Sequence, residues 1–253
     1  MELITNIYSL KDKFIKEEYL LEVLEEINEA NNLSEKFNSR SNISLDKKSN
    51  ILDEEILKKY NNIQNTELKK LIVGIDYSGY VSSRENKYDD IIPIFIKLRE
   101  KGLGISISLG KNVNYQFLPL AKFIPERVVH GFFLKDEYIE QLIKRNIRIK
   151  ICPTYSFKIN KCIDYSKINM ENFGKKIKKE SGEEIIFDKI CINSDCRTLI
   201  FTDISQEYYE IGLSFNLGQN ELKNIILNEI NFIFDKDEDL YNKFKNILNN
   251  FNC

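Results

Sequence analysis

Short runs rich in isoleucine and valine alternate with amphipathic stretches along the whole chain. The clearest strand pattern is the run 71–75, which is followed by Asp76. The clearest helix pattern is 14–30, where leucine, valine and isoleucine recur at helical spacing. Seven runs predict strands, at 2–5, 42–45, 71–75, 105–107, 127–129, 147–151 and 189–192. Helices are predicted over 14–30, 52–63, 89–101, 117–123, 135–145 and 169–179, and over most of the chain from 193 to 251.

This alternation of strand and helix strongly constrains the fold. It predicts a parallel sheet with helices packed outside it. A chain of 253 residues has the length of a single α/β barrel. No linker rich in proline, glycine and serine divides the sequence, so we predict one domain over residues 1–253.

The charges and the cysteines exclude several classes of function. Lysine and arginine number 37 and aspartate and glutamate 39, so the net charge of −2 does not indicate binding to nucleic acid or to an anionic membrane. No apolar run reaches the roughly 18 residues that span a bilayer, and the first residues do not resemble a signal peptide. We therefore expect a cytoplasmic protein. Its five cysteines form no CxxC pair, which argues against a disulfide framework or a thiolate zinc site.

Polar residues follow several of the predicted strands. In a parallel βα barrel the chemistry lies where the strands end. The sequence also contains a single histidine, His130, so no metal site can be built from two imidazoles of this chain. The strand ends contribute the segments 74–79, 108–111, 129–131, 152–154 and 193–196.

Taken in order, these segments resemble the adenosine deaminase family, and particularly its adenosine deaminase-like branch, which acts on N6-substituted AMP. The resemblance is collinear from near the start of the chain to about Asp235. The order and spacing of the matching segments together are more specific than any single motif. The matching segments are SLDKK at 44–48, the run 71–79 against GLDLSG, VHG at 129–131, SQEY at 205–208 and NEINFIF at 228–234.

The resemblance implies a TIM-type (β/α)₈ barrel of the metal-dependent hydrolase type and the hydrolytic removal of a purine 6-amino group. In the family, one zinc is held by three histidines and an aspartate. Two of the histidines form HxH on the first strand, and the third begins an HxxE motif on the fifth. That glutamate protonates the purine, a further histidine orients the zinc-bound hydroxide, and a double aspartate follows a later strand.

This sequence departs from that pattern at most of the catalytic positions. Met1 aligns at the second strand of the family, so we expect a shortened barrel that lacks the first strand and its HxH motif. Ser108 stands at the third histidine, Lys111 at the glutamate and Cys196 at the second aspartate. His130, Asp195 and Gly79 match the family, and they are the candidate ligand-binding residues. Because these residues provide too few ligands for zinc, we predict that no metal cofactor is bound.

The leading hypothesis is therefore a pseudoenzyme that binds a purine nucleotide, a protein partner or a second copy covering the open seam of the barrel. The alternative is an active adenosine or N6-methyl-AMP aminohydrolase with an unusual or partner-completed metal site. His130 is either an orphan general base or a packed structural residue. Asp195 is predicted to pair with Lys111. Cys196 is either a thiol activated by Lys111 or inert, and a Cys196–His130 hydrolase would need an orienting group.

Overall fold

The computed structural model divides the chain into two compact units. The first comprises residues 1–107 and 118–125, and the second comprises 108–117 and 126–253. The prediction of one domain over 1–253 stays a prediction. The residues that the structure describes are 2–5, 17–33, 40–46, 53–78, 88–109, 123–131, 134, 136–159, 177–178, 184–185, 189–195, 200–234 and 238–249.

The first unit is built on parallel strands that follow one another in chain order. The register pairs β1 with β2, β2 with β3, and β3 with β4. Two buried side chains of one helix, Phe95 and Leu98, pack in its core, and Phe95 meets Tyr77 of the sheet edge-to-face at 5.4 Å between ring centroids. Its elements are β1 (Glu2–Thr5), α1 (Glu17–Leu33), β2 (Arg40–Asp46), α2 (Asp53–Asn62), α3 (Thr66–Lys70), β3 (Ile72–Ser78), α4 (Tyr88–Glu100) and β4 (Gly104–Ser108), whose last residue belongs to the second unit.

Among its described residues, the second unit contains three parallel strands, a short antiparallel pair of strands and five α-helices. Strand β5 pairs with β6, and β6 pairs with β9. The central residues Val128 and Ile149 are fully buried. Its elements are β5 (Arg127–Val129), α5 (Asp136–Lys144), β6 (Arg148–Ile151), α6 (Pro153–Ile159), β7 (Ile177–Lys178), β8 (Glu184–Ile185), β9 (Ile190–Ile192), α7 (Ile204–Phe215), α8 (Gln219–Glu229), a 3-10 turn (Ile230–Phe232) and α9 (Glu238–Asn249).

All seven predicted strands are present in the structure, and two of them, at 2–5 and 127–129, have the predicted bounds. The helix predicted over 169–179 is wrong at 177–178, which form strand β7 against β8. The register places Ile177 opposite Ile185 and Lys178 opposite Glu184, and such matched pairs favour an antiparallel ladder that local periodicity does not reveal. Most of the helix predicted over 117–123 lies outside the described residues.

Two short helices were not predicted. Asn65 accepts hydrogen bonds from the amides of Glu67 and Leu68 and so caps α3. The strand predicted over 147–151 ends at Ile151 as expected, and Pro153 begins α6, where its missing N–H costs nothing because first-turn amides have no helical partner. Within the described ranges, no helix is both long and apolar enough to cross a membrane.

Candidate functional site

His130 lies directly after β5 in a left-handed backbone conformation, with φ at +62°. This region is unfavourable for a residue with a Cβ atom. The amide of His130 donates to the carbonyl oxygen of Lys150 at 2.9 Å, which ties the strand end to β6. The next residue must be small, because a Cβ atom on Gly131 would lie 2.5 Å from Cγ2 of Ile149. The tight turn therefore fixes the position of the His130 Cβ atom, from which the imidazole extends.

The imidazole of His130 faces the carboxylate of Asp195, which follows β9. Nε2 of His130 lies 3.4 Å from Oδ2 of Asp195. The histidine side chain is 5% exposed and the aspartate side chain 27% exposed. The structure thus brings together two of the predicted site residues, and it leaves one edge of the carboxylate open to solvent.

Tyr155 forms an aromatic wall on the imidazole. The two ring centroids lie 5.0 Å apart, with an interplanar angle of 34°. Tyr155 lies in the first turn of α6 and is half-buried. Sequence reasoning missed this residue because no helix was predicted directly after the strand at 147–151. The preference of proline for the first helical position was the available signal.

A fully buried carboxylate supports the same turn. Glu207 of α7 accepts hydrogen bonds from the amide of Thr154 and from the hydroxyl of Thr202, each at 3.0 Å. Burial raises the pKa of Glu207, and the hydrogen bonds from Thr154 and Thr202 oppose that rise. This glutamate belongs to the SQEY segment at 205–208.

A second carboxylate, that of the half-buried Glu229, lies at the outer edge of β9. The amide of Ile192 and the hydroxyl of Tyr208 both donate to Oε1 of Glu229. Burial raises the pKa of Glu229, of Tyr208 and of the neighbouring Cys191 thiol, so this cysteine stays protonated and is a poor nucleophile. The cluster is structural in character, and it was not predicted from the sequence.

Ser108, the residue at the third family histidine, is the last residue of β4 and is buried. The following residue, Leu109, belongs with Ser108 to the second unit, and its amide donates to the carbonyl oxygen of Val129 at 2.8 Å, directly before His130. Lys111, Cys196 and Gly79 lie outside the described residues, and the Lys111–Asp195 pair stays a prediction. Among the residues that are described, no group of three or more histidine, cysteine, aspartate or glutamate side chains could hold a metal ion.

No family model matches the chain. It is 26% identical over 170 residues to the adenosine deaminase-like protein of Drosophila melanogaster, which covers 67% of this chain and 47% of that protein. Over 174 residues it is 24% identical to the human N6-methyl-AMP deaminase, covering 66% of this chain and 46% of the relative. The resemblance to the adenosine deaminase family and its adenosine deaminase-like branch is confirmed. The chain spans about half the length of these relatives.

Solved structures of this family share the fold. The Arabidopsis N6-mAMP deaminase superposes with a TM-score of 0.64 at 21% identity, covering 84% of this chain and 59% of that chain. The adenine deaminase of Arthrobacter aurescens gives a TM-score of 0.60 at 13% identity, covering 84% of this chain and 62% of the other. The predicted fold class, an α/β fold of the TIM-barrel type, is confirmed.

Proposed function

We propose that this adenosine deaminase-fold chain binds a purine nucleotide without zinc and without deaminase activity. The observation that carries the proposal is the state of its only imidazole. His130 is buried, faces Asp195 at 3.4 Å and is packed by Tyr155. A side chain held in this way can line a binding site. The sequence contains no second histidine that could share a metal with it.

The residues of this chain do not fit the zinc of the family. A catalytic zinc takes three protein ligands and keeps one position open for water. Here the third-histidine position holds the buried hydroxyl of Ser108, and a neutral hydroxyl is a poor zinc ligand. The lysine at the glutamate position, Lys111, adds a positive charge, which opposes a divalent cation.

The composition of the site supports a purine as the ligand. An aromatic ring such as that of Tyr155 can stack on a base, and the part-exposed carboxylate of Asp195 can accept hydrogen bonds from base N–H groups. Structural neighbours with TM-scores of 0.63 were solved as complexes with IMP and with GMP. Gly79, His130 and Asp195 remain the proposed ligand-binding residues.

The test combines binding, metal content and turnover on the purified chain. IMP, GMP and AMP are screened by thermal shift, where a nucleotide at 100 times its Kd stabilises the protein by about 2.7 kcal/mol. Zinc is measured by elemental analysis, and ammonia release is followed with AMP, N6-methyl-AMP and adenosine. We expect a shift with at least one nucleotide, no stoichiometric zinc and no ammonia.

Two variants locate the binding site. Asp195→Asn should weaken nucleotide binding, whereas Glu140→Gln, at an exposed carboxylate of α5, should leave it unchanged. Bound zinc together with ammonia release would show an active aminohydrolase. A flat screen at millimolar nucleotide would refute nucleotide binding and favour a role in assembly.

A further inference from the structure

The SQEY segment contributes a fully buried glutamate that the proposed binding site does not itself use. We propose that Glu207 is a positioning residue, which sets the orientation of the His130 imidazole through Thr154 and Tyr155. This proposal rests on the proposed function only in one respect, the identity of the ligand that contacts the imidazole. The contacts themselves lie within the chain and do not depend on a ligand.

The first step is the bond from Glu207 to α6. Oε2 of Glu207 accepts from the amide of Thr154 at 3.0 Å, across 53 residues of sequence. That amide lies in the first turn of α6, where it has no partner inside the helix. Glu207 supplies the acceptor that this amide lacks within the helix, and so holds the beginning of α6 in place.

The second step is carried by the turn that contains Tyr155. Tyr155 follows Thr154 directly, and the amide of Ser156 donates to the carbonyl oxygen of Cys152 at 3.0 Å. The backbone on both sides of Tyr155 is therefore fixed, by Glu207 on one side and by the end of β6 on the other. The position of its ring follows from that backbone.

The third step is the contact of the two rings. The ring of Tyr155 packs on the imidazole at 5.0 Å between centroids, while Nε2 of the imidazole faces Oδ2 of Asp195. The left-handed backbone of His130 fixes the root of the side chain. If the turn of α6 moves, the imidazole loses the wall that keeps it directed at Asp195.

Such an arrangement benefits a binding site because a preformed site does not pay the ordering cost when ligand arrives. The other oxygen of Glu207 provides an internal control. Oε1 accepts from the hydroxyl of Thr202. Removing the Thr202 hydroxyl therefore perturbs the same buried carboxylate without removing the bond to Thr154.

The experiment uses the fact that the chain has one histidine. In protein labelled with ¹³C-histidine, NMR shows a single imidazole Hε1 signal, that of His130. Its chemical shift includes the ring-current effect of Tyr155, and a through-space cross-peak connects it to the tyrosine ring. The spectra are recorded without nucleotide, at one alkaline pH, for the wild-type chain and for Glu207→Ala, Glu207→Gln, Thr202→Val and Tyr155→Leu. The exposed Glu140→Gln is the surface control.

Tyr155→Leu defines the signal without the aromatic wall. We expect Glu207→Ala to move the His130 signal toward that position and to lose the cross-peak. Glu207→Gln keeps an oxygen for the Thr154 amide and should retain the wild-type signal, so it also tests the proposal if the alanine variant does not fold. Thr202→Val should retain the signal even where it lowers the melting temperature.

Two results would overturn the proposal. One is an unchanged His130 signal and cross-peak in a folded Glu207→Ala protein. The other is a movement of the signal in Thr202→Val as large as in Glu207→Ala, which would mean general loosening of the unit. Failure of the proposed function is seen separately, as the absence of any nucleotide effect on the wild-type chain.

Discussion

Replacing Glu229 by alanine removes the acceptor that closes the outer edge of β9. Lys189 and Asn193 hydrogen-bond to β6, so the amide of Ile192, which alternates with them, points to the opposite edge. Oε1 of Glu229 accepts that amide at 3.0 Å and also accepts the hydroxyl of Tyr208. Both donors lose their partner in the variant.

The expected loss of stability follows from these two donors. A buried donor left without an acceptor costs about 1–3 kcal/mol, which gives a gross loss of about 2–6 kcal/mol for the pair. Removing the half-buried carboxylate recovers part of this, because its loss of solvent raises its pKa and so disfavours the charged form. We expect Glu229→Ala to lower the free energy of unfolding by about 2–4 kcal/mol.

Urea denaturation followed by circular dichroism measures this change. Glu229→Gln keeps one acceptor oxygen and should cost only about 1 kcal/mol. Tyr208→Phe removes one of the donors, so its effect and that of Glu229→Ala should sum to more than the effect of the double variant. If Glu229→Ala is as stable as the wild type, or if the two changes are strictly additive, the buried cluster does not support the strand edge.

Three further predictions concern the candidate site and the buried carboxylates. His130→Ala should be less stable than His130→Asn by about 1 kcal/mol in the same assay, because asparagine tolerates the left-handed backbone; equal stabilities would argue against this strain. Gly131→Ala should cost about 1–3 kcal/mol through its clash with Ile149, and a neutral result in calorimetry would contradict the close approach. Burial raises the pKa of Glu207 and of Glu229 in the folded state, so the native protein binds more protons than the unfolded chain. The free energy of unfolding should therefore fall as pH rises from the ordinary carboxyl pKa of about 4.3 through the raised values. The double glutamine variant should show a flatter pH dependence of stability than the wild type.

The sequence by itself determined the order and the type of most elements. Apolar runs of strand length, such as 127–129, alternate with amphipathic stretches. The length and hydrophobic period of each run are local properties of the sequence, and they indicate strand or helix. It also determined which chemistry the chain's own residues can carry, because residue types do not depend on folding. One histidine cannot provide three imidazoles, whatever the fold.

Only the tertiary structure decided which residues meet at the site. Tyr155 packs on His130, and Glu207 accepts the Thr154 amide, although neither pair is close in sequence or follows a helical or strand period. The left-handed backbone of His130 was equally hidden, since the sequence allows a histidine in any conformation. Periodicity reports which face of an element is buried, whereas the contacts between elements depend on long-range packing. That packing arises only when the whole second unit has formed.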